Sequence, residues 1–357
     1  MAILRQVITD DYAIYNGDSA EVLQSLPNKS VGHCIYSPPF ATVNGGCLYN
    51  YSSSVRDLSN ARTYDEFFQH YEFICEHIAR VIQPGRIVAV HCMDVPKQGA
   101  NICGYSDFPG DIIKLHEKLG FDYLPRISIW KEPLAVRLRT MAKALAHRTF
   151  TEDSCQTNIA AADYLIPFRR KGENKIPVAH PTGLSEYFGQ RSVPKPILKY
   201  RNWTGKQTEN RYSQWVWRNY ASCFWDDIRL DNVLPYEESK AEDDERHQHP
   251  LQLDVIHRAV TMWSNPGEVV LTPFMGVGSE VHGAVNLGRR GVGCELKPTY
   301  FDQAEKNLAK LISDRSVTKT EANQLPFDDL DDEDEWDETD NEIDNESDEI
   351  DDEELEL

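Results

Sequence analysis

The chain has 357 residues, 40% of them hydrophobic, and a formal net charge of −21, which allows one large domain or two ordinary ones with a sizeable core. No apolar run approaches the roughly 18 residues that cross a membrane, and Met1-Ala2-Ile3-Leu4-Arg5 lacks the charged and apolar regions of a leader. Eight scattered cysteines without a Cys-x-x-Cys pair argue against a zinc site or disulfide framework and for a reducing cytoplasm.

The charge is unevenly placed. The stretch from Asp328 to Leu357 holds 20 of the 58 acidic residues and no basic one, so the rest of the chain is close to neutral. An acidic chain average therefore does not exclude nucleic acid as a partner.

Tyr12-Ala13-Ile14-Tyr15 predicts a strand. Asn16-Gly17-Asp18-Ser19 then turns the chain, and Asp18 or Ser19 can cap a short helix carrying Val22, Leu23 and Leu26. Asp18 is either that cap or an acceptor near a cofactor. Val31 to Tyr36 predicts a buried strand that must stop at Ser37-Pro38-Pro39-Phe40, because two prolines cannot donate ladder hydrogen bonds. A hydroxyl, two carbonyls and an aromatic ring are thereby left at the carboxyl end of a strand, where open α/β sheets bind ligands. That set suits an exocyclic amino group of a base. Ser37 Oγ and the Pro38 carbonyl can accept its N–H hydrogens, and Phe40 can stack on the ring. Residues 41–62, rich in Gly, Asn, Ser and Tyr, predict a loop that orders over substrate.

Thr63-x-x-Glu66 is a capping box, followed by Phe67, Phe68, Tyr71, Ile74, Ile78 and Ile82 on one helical face. Pro84-Gly85 ends that helix and Ile87-Val88-Ala89-Val90 is a buried strand. A second helix follows with Ile112, Ile113, Leu115 and Leu119, then a strand at Ile127-Ser128-Ile129-Trp130. Strands alternating with helices imply a mainly parallel sheet covered on both faces.

Between Arg126 and Arg218 there are 17 Lys or Arg against 7 Asp or Glu, interleaved with Tyr164, Phe168, Tyr187, Phe188, Tyr200, Trp203, Tyr212, Trp215 and Trp217. This is the composition of a nucleic-acid surface, or of a loop-rich subdomain with its own aromatic core. Tyr236 to His247 is charged and linker-like. The α/β pattern then returns. A helix carries Val255, Ile256, Val260 and Trp263, and Val269-Val270-Leu271 is a strand. Thr272-Pro273-Phe274-Met275-Gly276-Val277-Gly278-Ser279 turns into another helix. Gly291 to Cys294 is a strand ending at Glu295, and Pro298 to Ile312 is a closing helix. From Phe327 on, the acidic chain cannot bury enough apolar area to order and predicts disorder.

A Gly-x-Gly turn between strand and helix, with a carboxylate 17 positions after Gly278, suits a nucleotide-type cofactor. The backbone can approach the ligand, a Cβ at Gly278 would enter its space, and Glu295 can accept from ribose hydroxyls. No Lys follows the glycines, which excludes a Walker-type phosphate loop.

With these motifs the chain resembles the DNA amino-methyltransferases that use S-adenosyl-L-methionine to methylate cytosine N4 or adenine N6. Ser37-Pro38-Pro39-Phe40 is similar to the family's catalytic motif, and Phe274-x-Gly276-x-Gly278 to its cofactor motif. Asn16-Gly17-Asp18, Leu26 to Val31, His249-Pro250-x-Gln252, Pro266-Gly267, Gly288-Arg289-Arg290 and Gly293-x-Glu295-x-x-Pro298-x-Tyr300 match in order and spacing, over residues 12–131 and 248–312. The catalytic motif precedes the cofactor motif, as in the family's β arrangement.

The resemblance implies an α/β fold, a Rossmann-like, mainly parallel sheet with helices on both faces, in circularly permuted order. Residues 1–131 would be the catalytic half, 132–247 an inserted recognition region and linker, 248–315 the cofactor half, and 316–357 an acidic tail. It implies that Phe274, Gly276, Gly278, Ser279 and Glu295 hold the cofactor with Asp18 and Thr272 beside them, and that Ser37, Pro38, Pro39 and Phe40 hold the base. Thr272 departs from the family's usual Asp, and Leu251-Gln252-Leu253 from its Thr-Gln-Lys. Adenine members more often read Asp-Pro-Pro-Tyr, so Ser37 and Phe40 favour cytosine N4 in double-stranded DNA, with adenine N6 as the alternative. An RNA or protein methyltransferase, an inactive DNA-binding protein, a restriction endonuclease partner and the oligomeric state stay open. The chain contains no Pro-Cys dipeptide, which argues against cytosine C5 methylation and zinc-dependent deamination.

Overall fold

The computed structural model describes residues 3–39, 57–97, 104–140, 145–236 and 250–324. In chain order the elements are β1 (Arg5–Ile8), β2 (Tyr12–Asn16), α1 (Ser19–Ser25), β3 (His33–Tyr36), α2 (Tyr64–Val81) and β4 (Ile87–Met93). A small antiparallel pair, β5 (Val95–Pro96) and β6 (Tyr105–Ser106), precedes α3 (Phe108–Lys118), β7 (Phe121–Tyr123) and β8 (Ile127–Ile129). Then come α4 (Pro133–Thr140), α5 (His147–Glu152), β9 (Asp163–Arg170), α6 (Arg211–Tyr220) and β10 (Phe224–Trp225). The chain continues with α7 (Leu253–Trp263), β11 (Val269–Thr272), α8 (Ser279–Asn286), β12 (Arg290–Glu295) and α9 (Pro298–Gln324). Contacts divide it into two units, Met1–Asp314 and Arg315–Leu357, and residues 315–324 are the described part of the second. Phe40, residues 41–56, residues 237–249 and the acidic tail lie outside the described residues.

The main sheet runs β1-β2-β12-β11-β3-β4-β9-β8-β10, with β7 also paired to β9. The contiguous strands β2, β12, β11, β3 and β4 are parallel, while β1 and β9 run against their neighbours. Side chains alternate across a strand, so a doubly covered strand must be apolar in both phases. On β3, Cys34 and Tyr36 join the core made with α1, α2 and α3, while Ile35 joins the core made with α7 and α8. On β4, Val88, Val90 and Cys92 take the first face and Ala89 the second. A third core packs Ile14 against Val285, Phe301 and Leu308 beneath α8 and α9. The fold is the expected Rossmann-like sheet, mostly parallel and with helices on both faces.

Asp18 caps α1 by accepting from the Ala20 amide at 2.8 Å. Thr63 caps α2 by accepting from the Glu66 amide at 3.1 Å, but the Glu66 carboxylate takes the Arg62 amide rather than that of Thr63. Strand β9 is the element that composition hid. Its internal Pro167 speaks against a central strand. The Pro167 carbonyl, however, accepts from Leu124 at 3.1 Å, between the end of β7 and the start of β8. Both backbone groups of one strand residue point the same way, so the missing N–H faces that break and the β4 ladder loses nothing.

The aromatic stretch is largely its own core. Phe168 lies in the sheet core, Tyr212 and Tyr220 are buried, and Tyr187, Phe188, Tyr200 and Trp215 pack around α6; Trp217 stays 60% exposed. The fully buried Arg258 of α7 fixes this module to the sheet. It pairs with Asp227 at 2.8 Å and lies over the rings of Tyr187, Tyr220 and Trp225.

Burial lowers the pKa of His33 to about 3 and those of His116, His257 and His282 to about 4. These rings stay neutral in the native state and gain protons on unfolding, so stability is lost as pH falls below the ordinary value of 6.5. Burial pushes Glu280 up to about 8, which opposes this with one proton. The melting temperature should therefore fall from pH 7 to pH 5, and a thermal scan that rises over this interval would contradict these environments.

Candidate active site

Strands β3 and β11 are parallel neighbours, with Cα partners Val270↔His33 and Leu271↔Cys34. After β3 the chain crosses through α2 to β4 on one side, and after β11 through α8 to β12 on the other. The carboxyl ends of such a pair frame the crevice at which open α/β sheets take ligands. Ser37-Pro38-Pro39 leaves β3 there, and Thr272-Pro273-Phe274 leaves β11 beside it. The end of β3 touches the turn after β11. The Tyr36 and Phe274 ring centroids are 5.7 Å apart. Tyr36 is itself held by the Tyr71 hydroxyl at 2.9 Å and His116 Nε2 at 3.3 Å.

The turn after β11 is braced by its neighbours. The Gly276 amide donates to Glu295 Oε2 at 2.8 Å, and the Lys297 amide to Oε1 at 2.7 Å. Asn16 Nδ2 donates to the Glu295 carbonyl at 2.9 Å, and Ser19 Oγ to the Pro273 carbonyl. Asp18 stands at the same edge as the cap of α1.

Three polar groups are buried around this turn. Thr272 Oγ1 and Ser279 Oγ have no hydrogen-bond partner. The Glu280 carboxyl, 4% exposed, is pushed up to about 8 by burial and secondarily by the Glu295 charge, and is therefore a donor at neutral pH. Buried polar groups are normally satisfied, and these two hydroxyls are exceptions enclosed by protein.

The two glycines differ. Gly276 has φ +52° and open space where a Cβ would stand, whereas Gly278 has φ +90° and its Cβ would lie 3.1 Å from Ala304 Cβ on α9. The space beside Gly278 is thus filled by α9 and not by a ligand, which corrects the expected reason for that glycine.

Ser37 belongs to a polar cluster that the motifs do not mention. Its Oγ is 3.2 Å from His91 Nδ1, and His91 Nε2 is 3.0 Å from Asp163 Oδ2. Lys131 Nζ reaches the same Asp163 oxygen at 2.6 Å. All three partners are buried, at 6–7% exposure. Burial alone would raise the Asp163 pKa, but its hydrogen bonds to His91 and Lys131 and the Lys131 charge outweigh this and hold it well below the usual carboxylate range. One signal in the sequence points to these residues. Ser37 follows Ile35 by two positions, His91 follows Ala89, Lys131 follows Ile129, and Asp163 precedes Leu165, and those four apolar residues share one core. Strand parity thus aims all four polar groups at one face.

The chain matches the N6_N4_Mtase family, described as DNA methylase, over residues 31–306. It is 22% identical over 337 residues to the type II methyltransferase M.MjaI of Methanocaldococcus jannaschii, covering 90% of this chain and 96% of that one. It is 26% identical to M.BglII of Bacillus subtilis, over 83% of this chain and 68% of the other. Among solved structures, the cytosine-N4-specific PvuII DNA methyltransferase superposes with a TM-score of 0.55 at 14% identity, over 85% of this chain and 89% of that one. TTHA0409 of Thermus thermophilus, solved with S-adenosyl-L-methionine, gives 0.53 at 22% identity, over 83% and 92%. The fold is that of a methyltransferase. The chain belongs to the N6_N4_Mtase family and is a DNA methyltransferase of the amino-methylating class.

The glycine geometry predicts unequal tolerance. Gly278→Ala should lower stability by about 1–3 kcal/mol through left-handed strain and the contact with α9. Gly276→Asn should cost less, because Asn tolerates that backbone region and meets open space. Thermal unfolding of the two variants decides the order.

Proposed function

We propose that the protein methylates the N4 amino group of cytosine in duplex DNA. The observation that carries this is Ser37 at the end of β3, beside the glycine turn of the neighbouring strand. S-Adenosylmethionine is the cofactor, and when bound it supplies an electrophilic methyl group on a sulfonium. The residues fit it. The open face of Gly276 admits close approach, and Glu295, which accepts from the Gly276 amide, is the carboxylate assigned to the ribose hydroxyls. Phe274 would lie along the cofactor, and Asp18 at its adenine end.

An exocyclic amine is a weak nucleophile because its lone pair is delocalised into the ring. Ser37 Oγ and the Pro38 carbonyl, accepting its two N–H hydrogens, draw the nitrogen toward a tetrahedral form with a directed lone pair. Pro39 keeps the chain extended there. A base must leave the duplex to reach this edge, and Phe40, outside the described residues, would offset the lost stacking. Positioning of the two reactants supplies much of the rate. A neutral hydroxyl in the place where adenine-specific members usually carry a carboxylate supports cytosine over adenine.

We assign DNA recognition to the module around α6. It carries exposed Lys195, Lys199, Arg201, Lys206, Arg211 and Arg218, and the exposed Trp217. The type II names of the relatives fit a methyltransferase paired with a restriction endonuclease, which would cut the same site.

Two measurements test this. Methyl transfer to cytosine-only and adenine-only target duplexes, followed by nucleoside analysis, should yield N4-methylcytosine. Ser37→Ala should lose at least about two orders of magnitude in kcat with cofactor affinity nearly kept. Methyl only on adenine N6 would overturn the choice of base, and full activity of Ser37→Ala would overturn the site. Separately, DNA affinity should fall steeply between low and physiological salt through counterion release. Replacing Lys199, Arg201 and Arg211 with Gln should flatten that slope.

A further inference from the structure

We propose that His91, oriented by Asp163, is a positioning residue that takes the Ser37 hydroxyl hydrogen and so turns the Oγ lone pairs toward the target amine. The proposal rests on Ser37 accepting from that amine, as assigned above.

A serine hydroxyl is both donor and acceptor and rotates to suit its surroundings. To accept reliably from an amine, it needs an acceptor of its own elsewhere. With His91 neutral, one direction of donation satisfies every group in this cluster. Asp163 is ionised, for the reasons given above, and an ionised carboxylate only accepts. It accepts from Lys131 Nζ at 2.6 Å and from His91 Nε2 at 3.0 Å. In a neutral imidazole, hydrogen on Nε2 leaves Nδ1 bare. The bare Nδ1 lies 3.2 Å from Ser37 Oγ and accepts its hydrogen. The hydroxyl oxygen is then left to accept from the substrate. Donation runs one way, from the amine through Ser37 and His91 to Asp163.

The cluster draws on four parts of the sheet. Ser37 follows β3, His91 is on β4, Asp163 opens β9 and Lys131 follows β8. The groups facing His91 are thus Ser37, Asp163 and, through Asp163, Lys131.

The test uses the full chain, with kcat and KM for methyl transfer to duplex DNA and calorimetric S-adenosylmethionine affinity as the check on folding. Asp163→Ala removes the one oxygen that accepts from both Nε2 and Lys131 Nζ, leaves nothing to hold the hydrogen on Nε2, and should lower kcat by about two orders of magnitude with KM nearly unchanged. His91→Ala should lose a similar factor. His91→Asn, whose amide oxygen can stand where Nδ1 does, should recover most of that loss. Parental kcat in a folded Asp163→Ala would overturn the proposal. So would a folded His91→Asn no better than His91→Ala. If Asp163→Ala fails to bind cofactor, the comparison of the two His91 variants decides. Ser37→Ala separates the two levels of the argument. Its full activity would remove the site assignment itself, whereas loss in Ser37→Ala with parental activity in Asp163→Ala would remove only the role of His91.

Discussion

The pairing of β3 with β11 is the constraint on which the site depends. Its two register pairs join strands more than 200 residues apart in the chain. One strand delivers Ser37 and the other the turn at Phe274 and Gly276, each at its carboxyl end. Parallel pairing puts both ends on one edge, and the opposite directions of the flanking crossovers keep helices from closing over it. The Tyr36–Phe274 contact shows how closely the end of β3 approaches the turn after β11.

The two edges of the sheet handle polar groups differently. At the amino edge, Arg86 is buried and fully engaged. Its Nε donates to the Gly32 carbonyl at 3.0 Å, Nη1 to the Ile176 carbonyl at 2.8 Å, and Nη2 pairs with Glu268. Glu268 in turn accepts from the Asn265 amide at 2.8 Å. These bonds brace the start of β3, β4 and β11. At the carboxyl edge, Thr272 and Ser279 keep unpartnered hydroxyls and Glu280 is a buried neutral acid.

The module around α6 shows how a loop-rich segment is held without a large core. Its aromatic side chains pack on one another, and a single buried arginine from α7 lies over three of the rings while pairing with Asp227. Cations are thereby left on the outside. Arg201 and Arg211 lie over the Tyr212 and Tyr200 rings, which constrains where their charge is displayed.

Much of this was legible in the sequence because it rests on local rules. The double proline ends β3, Asp18 and Thr63 cap their helices, and the glycine turn opens α8 as its residues demand. Two-phase apolar runs at residues 33–36 and 87–90 fit a sheet covered on both faces, since period-two alternation is a property of the strand itself. Tertiary structure decided what depends on partners distant in the chain. Strand β9 carries a proline that only the break between β7 and β8 makes harmless, and the aromatic stretch packs inward because Arg258 lies beneath it. The His91, Asp163 and Lys131 cluster behind Ser37 has no sequence spacing of its own. Each residue is an ordinary polar group at a strand end, and only sheet order places the four ends together on one face.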